Sequence, residues 1–155
     1  MITLWRISNY GDLNGIGGEK ISGRWHTAAP GRRIVYLSEH PALALIETLV
    51  NLKGKPGLLP RRYQLMKVAV AGSVSTSQLD MTRLMPGWRE DLPQTRAIGD
   101  AWLANGTALL AVPSIPCPEG SNFLFNPLHP DARGAVIEWS RWIDYDQRLF
   151  HLSAR

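Results

Sequence analysis

One carboxylate stands out among the side chains able to do chemistry. Glu47 is the only formally charged residue between His40 and Lys53, and Leu43, Ala44 and Val50, one helical turn away, are apolar. A helix with this pattern has no broad polar face and is expected to be buried nearly all round. A carboxylate kept in such surroundings is costly unless it has partners. Glu47 is therefore a structural carboxylate paired with an arginine, one sitting near solvent at the helix edge, or a group held in place to act on a ligand. Arg6 and Arg24 each adjoin a tryptophan, Trp5 and Trp25. Arginine suits bidentate binding of phosphates and carboxylates, and the structural alternative is that one of the two pairs with Glu47. Tyr36 follows Ile34 and Val35, so its ring either packs in a core or stacks on a flat heterocycle.

Other reactive types point elsewhere. The four histidines, His26, His40, His129 and His151, have no metal-ligand spacing, and neither H-E-x-x-H nor C-x-x-C occurs. Cys117 is the single cysteine, which excludes an internal disulfide framework. Between prolines it is expected to be a small apolar filler rather than a nucleophile working with His129. Ser114 lacks the G-x-S-x-G elbow and reads, on its own, as a turn or cap serine after a strand. One carboxylate, two arginines, a tyrosine and a serine are compatible with a site for a phosphate-bearing, aromatic, ribose-containing molecule.

These groups need a scaffold. At 155 residues, with 45% hydrophobic and 19% charged residues, the chain fits one domain spanning 1–155 with a real core. The net charge of +4 favours anionic partners, but the basic residues are scattered and form no arm. That ranks a phosphate-bearing ligand or an acidic protein above nucleic acid. No charged leader with an apolar segment opens the chain and no apolar run reaches membrane length, so the expectation is a cytoplasmic protein without membrane contact.

Along the chain, residues 3–7 predict a strand carrying Arg6, and 9–23, rich in Gly and Asn, a long loop. Residues 33–37 predict a second strand. The stretch 38–54 predicts a helix, with Pro41 in its first turn, Lys53 at its negative end and Gly54 as its stop. A connection at Lys55-Pro56-Gly57 leads to a strand over 62–70 and a short extended piece within 73–81. A helix follows over 93–105, stopped by Gly106. Strands are predicted at 107–112, 122–126 and 135–143, the last with Ile137, Trp139 and Arg141 on one face, separated by proline-rich turns. Two helices and six or more strands in this order predict an α+β fold with a mixed sheet.

In this order the chain also carries Leu4-Trp5-Arg6, Gly23-Arg24-Trp25, Val35-Tyr36-Leu37-Ser38 and Ala42-Leu43-Ala44-Leu45-Ile46-Glu47. Gly99-Asp100-Ala101-Trp102-Leu103, Val112-Pro113-Ser114 and Asn122-Phe123-Leu124-Phe125-Asn126-Pro127-Leu128-His129-Pro130 follow. From Leu4 to about Trp142 this ordered set resembles the RES-domain family, toxins of bacterial toxin–antitoxin pairs whose antitoxin is an Xre-type DNA-binding protein. The chain departs from the pattern at His26, where Gly-Arg-Trp is often followed by Asn.

The resemblance implies a fold similar to the ADP-ribosyltransferase toxins and an enzyme that consumes NAD+ by cleaving the nicotinamide–ribose bond. Its functional residues would fall on Glu47, Arg24, Tyr36, Ser114 and Arg6, with Asn122 among the groups contacting NAD+. In these roles Glu47 stabilises the oxocarbenium-like ribose, the arginines hold the pyrophosphate, with Arg6 alternatively positioning Glu47, Tyr36 stacks on nicotinamide, and Ser114 hydrogen-bonds its carboxamide or the ribose. NAD+ is then substrate rather than cofactor, with water or inorganic phosphate as acceptor; ADP-ribosyl transfer to a macromolecule is the alternative. The partners implied are an Xre-type antitoxin and a second copy in a homodimer, with nucleic acid contacted only through the antitoxin.

Overall fold

Neighbouring residues of the central strands send large apolar side chains to opposite sides, as in Leu109-Leu110 and Leu124-Phe125, and all four are buried. Such strands are covered on both faces and belong in the middle of a sheet. The computed structural model, which describes residues 1–52 and 60–150, shows this arrangement. Strands β1 (Ile2–Ile7), β2 (Val35–Ser38), β3 (Arg62–Val70), β4 (Thr76–Gln78), β5 (Leu109–Pro113), β6 (Ser121–Phe125) and β7 (Ala135–Asp144) form a seven-stranded sheet. Its order is β4-β5-β6-β2-β1-β3-β7. The β4–β5 pair is parallel and the others are antiparallel, so the sheet is mixed and the fold is α+β.

One cluster of buried side chains contains Leu4, Val35, Leu37, Val68, Leu109 and Phe125. The other contains Trp25, Ile34, Leu79, Trp102, Leu110 and Leu124. Each fully buried residue of this size contributes roughly 1.5–3 kcal/mol relative to an exposed one. At the far edge Trp5 meets Trp139 edge-on at 5.6 Å, and the Arg141 guanidinium lies 4.6 Å from the Trp139 ring. Trp139 and Arg141 share a face as predicted, but Ile137 does not. The β3–β7 register shifts between Lys67 and Val68, so Ile137 lies opposite Val68 and packs on the first cluster.

Two helices, α1 (Pro41–Asn51) and α2 (Leu92–Asn105), complete the fold. Helix α1 starts where Pro41 predicts, capped by His40, whose Nδ1 accepts from the Ala42 amide at 3.1 Å. Lys53, Gly54 and the 55–57 connection lie outside the described residues. The helix packs against β1 and β2 but is not buried all round. It buries Leu43 and Ala44, while Ile46 and Val50 are each 39% exposed. An apolar sequence here reflects a helix at the rim of a cleft, not one inside the core. Helix α2 is capped by Asp91, which accepts from the Gln94 amide at 3.0 Å, and it places Trp102 in the second cluster.

One irregularity positions everything that follows. Strands β1 and β2 meet only where Trp5 lies opposite Ser38. A small cavity of about 170 Å³ bordered by Arg6, Ile7, Tyr36, Glu47 and Asn122 lies at this junction.

Candidate active site

The loop 23–27 is held from below by α2. Thr95 Oγ1, wholly buried, donates to the Arg24 carbonyl at 2.6 Å, and Arg96 Nε donates to the Gly23 carbonyl at 2.8 Å. Asp100 Oδ1 accepts from the Thr27 amide at 2.9 Å. Helix and loop approach so closely that a Cβ on Gly99 would lie 1.6 Å from the Trp25 carbonyl oxygen. Arg24 projects from this braced turn, and its Nη1 donates to the Arg89 carbonyl at 2.5 Å.

Strand β2 brings Tyr36 against the same turn. Its hydroxyl accepts from the Trp25 amide at 3.1 Å and lies 2.8 Å from His26 Nδ1. A Cβ on Gly23 would fall 2.3 Å from that hydroxyl oxygen, so only glycine fits there. Burial raises the Tyr36 pKa well above its ordinary value of 10.0, and the phenol stays protonated.

Glu47 faces this group from α1. Its Oε1 accepts from Ser114 Oγ at 2.7 Å and from Asn122 Nδ2 at 2.6 Å. Asn122 is oriented in turn by Ser38, whose Oγ donates to Asn122 Oδ1 at 2.8 Å. Ser114 also accepts from the Cys117 amide at 3.2 Å, so it is the turn serine that its position predicts as well as a partner of Glu47. The end of β5, the start of β6 and the end of β2 thus hold one oxygen of the carboxylate. Oε2 accepts no hydrogen bond among the described residues.

Glu47, Tyr36, Arg24 and Asn122 line one cleft of about 660 Å³, with Val50, Ile115 and Pro116 along its apolar wall. Arg6 borders the adjoining cavities together with Tyr36. Its Nη1 donates to the carbonyls of Asp12 and Tyr10, so it braces the 8–23 loop instead of positioning Glu47. Burial lowers the Arg6 pKa, with Asp12 opposing. Among the described residues no arginine or lysine forms an ion pair with Glu47. The ion-pair expectation fails because neutral hydrogen-bond donors occupy the carboxylate instead.

All six predicted site residues are therefore drawn to one region: Arg24, Tyr36, Glu47 and Asn122 line the cleft, Ser114 lies beneath it against Glu47, and Arg6 lies beside it. Cys117 is exposed rather than a filler, since the proline turn 116–118 lies at the surface. His129 caps the short turn Pro130–Gly134 by accepting from the Asp131 amide. Thr95, Arg96, Gly99, Asp100, Ser38 and His26 carry no role in the sequence reading. The one signal for α2 is a glycine in a helix interior, which often marks a close approach.

Fold and site define an α+β protein with a single carboxylate fixed by neutral donors at the opening of a split sheet. The chain belongs to the RES domain family, whose pattern matches residues 3–149. A Pseudomonas putida protein named Toxin Res is 43% identical over 148 residues, covering 95% of this chain and 99% of that protein. The Prs ADP-ribosylating toxin of a Sphingobium species is 36% identical over 159 residues, covering 95% of this chain and 96% of that protein. Among solved structures, the Mycobacterium tuberculosis MbcT–MbcA toxin–antitoxin complex contains a chain similar in fold. Its TM-score is 0.68 at 17% identity, over 97% of this chain and 87% of that one.

Proposed function

We propose that this protein is the toxin of a toxin–antitoxin pair and that it depletes NAD+ by cleaving the nicotinamide–ribose bond. The observation that carries the reading is Glu47: Ser114 and Asn122 fix Oε1, and Oε2 is left for a ligand in the cleft. As the bond from ribose C1 to the nicotinamide nitrogen breaks, its electron pair goes to the ring and neutral nicotinamide leaves. The ribose acquires oxocarbenium character, which a fixed carboxylate stabilises while it holds a ribose hydroxyl. Water or inorganic phosphate then bonds to C1, a water acceptor losing a proton to solvent. Tyr36, with its hydroxyl already committed to Trp25 and His26, offers its ring for stacking on nicotinamide. Arg24 supplies positive charge for the pyrophosphate. Asn122 and Ser114 orient Glu47, and Ser114, 1% exposed, does so from beneath the cleft. Its expected contact with the carboxamide gives way to this one.

Purified protein is expected to release nicotinamide from NAD+. Glu47→Gln, which keeps an acceptor for Ser114 and Asn122 but removes the charge, is expected to lower kcat by about 10²–10³-fold with little change in KM. NAD+ left intact in both water and phosphate buffer overturns the reading. A second reading, ADP-ribosyl transfer to a macromolecule, is favoured by the likeness to a protein named an ADP-ribosylating toxin. Mass spectrometry of extract supplied with NAD+ separates the two, because transfer leaves a modified acceptor. The partner is an antitoxin, which we take to be Xre-type; coexpression should yield a complex whose activity is blocked. The setting is cytoplasmic, in keeping with the NAD+ pool, and among the described residues no helix is long and apolar enough to cross a membrane.

A further inference from the structure

His26 is 2% exposed and does not line the cleft that holds Glu47, yet every polar atom of its ring is engaged. Nε2 lies 2.9 Å from the Gly18 carbonyl oxygen, which can only accept, so Nε2 carries the proton. In the neutral ring Nδ1 is then an acceptor. It faces the Tyr36 hydroxyl at 2.8 Å and the Gly23 amide at 3.2 Å. The Trp25 amide already donates to the Tyr36 oxygen, so the Tyr36 hydroxyl proton points at His26. Each proton in the chain Trp25–Tyr36–His26–Gly18 thus has one place to go.

We infer that His26 is a positioning residue. As the neutral Nε2–H tautomer it fixes the Tyr36 ring and the Gly23–Arg24 turn, and so sets the face of the cleft on which nicotinamide stacks. This rests on the NAD+ reading for the identity of the ligand, but the network itself does not. The groups facing His26 are Tyr36 from β2, Asp100 from α2, Arg32 from the loop before β2, and the carbonyls of Gly18 and Ile21. Asp100 and the two carbonyls favour the protonated ring; Arg32 and, above all, burial favour the neutral one. Protonation would turn Nδ1 into a donor. The Gly23 amide would then keep only the His26 carbonyl, which it also reaches at 3.1 Å, and the Tyr36 proton would have to swing away from the His26 ring.

The test compares wild type with His26→Ala, His26→Asn and His26→Gln. Asparagine places an acceptor where Nδ1 stands, whereas glutamine reaches Gly18 but offers Tyr36 nothing. KM for NAD+ is expected to rise about tenfold in the Ala and Gln variants and less than about threefold in Asn, with kcat nearly unchanged in all three. The profile of 1/KM should fall on the acid side of pH 6.5 in wild type and lose that limb in His26→Asn. Ring ¹⁵N shifts should report the Nε2–H tautomer. The Tyr36 hydroxyl proton should be visible in wild type and His26→Asn and lost in His26→Gln. An Asn variant as impaired as Ala, an Nδ1–H tautomer, or equal KM throughout overturns the inference. If wild type leaves NAD+ intact, the proposed reaction falls, and the tautomer and the Tyr36 proton decide for or against His26. If His26→Ala fails to fold, the Asn–Gln contrast carries the decision.

Discussion

Glu47 divides its two oxygens between the protein and the cleft, and that division makes the roles of its partners measurable. Removing Ser114 or Asn122 leaves the charge in place but frees its direction. Ser114→Ala and Asn122→Ala are each expected to lower kcat by about tenfold, and the double variant by less than the product, because both act through Oε1. Steady-state kinetics of the four proteins checks this. His26 gives stability a pH dependence of defined sign. Its folded-state pKa lies below 6.5 because burial disfavours the charged ring, so the unfolded chain binds the proton more readily. The contribution is complete above pH 6.5 and declines as pH falls through 6.5 toward the folded-state value. Urea unfolding at about pH 7.5 and about pH 5.5 should show a larger loss for wild type than for His26→Asn. Glu47 was legible because a single charge in an otherwise apolar helix stands out in the sequence itself. His26 was not, since a lone histidine after a loop announces no partner.

Helix α2 shows how an element can serve a site that it never enters. Thr95, Arg96 and Asp100 hold the backbone from Gly23 to Thr27, and Gly99 lets the two approach. Gly99→Ala places a methyl group against a carbonyl that cannot rotate away. It is expected to cost at least about 3 kcal/mol by chemical denaturation, at or beyond the upper end of ordinary overpacking. Gly17→Ala, with nothing within 4 Å of the new carbon, should change stability by less than about 0.5 kcal/mol. The helix itself was readable over 93–105 with Gly106 as its stop, because apolar spacing and stop signals are local. Its start at Leu92 and the Asp91 cap emerge only in the structure. Its grip on a loop some seventy residues earlier is long-range, as with the 71-residue separation of Thr95 and Arg24, and leaves almost no local trace. The burial predicted for α1 failed for a related reason: periodicity reports which residues are apolar, not whether a cleft or a core faces them.

Seen whole, the protein is one sheet with a core on each side, and adjacent residues of β6 serve different cores. Leu124→Ala opens a cavity in the cluster under α2, and Phe125→Ala opens one in the other. The first should cost about 2–5 kcal/mol and the second about 3–5 kcal/mol. Both should shift one common unfolding transition by fluorescence and circular dichroism, because the strand between them is shared. Two separate transitions would show that the faces fold independently. The α+β class and almost every strand were legible because alternation and turn chemistry agree along the chain. The sheet order was not, since pairings such as β2 with β6 join residues as much as 90 apart in sequence, as Val35 and Phe125 are.

The clamp on Glu47 has a consequence in the order of synthesis. Arg6, Arg24, Tyr36 and Glu47 leave the ribosome early, whereas Ser114 and Asn122 are added only after both helices and most of the sheet. A growing chain therefore carries its carboxylate through the addition of 67 further residues before Ser114, and 75 before Asn122, with neither partner there to aim it. On the proposed NAD+ reading, cleavage has to wait until β5 and β6 have closed against β2.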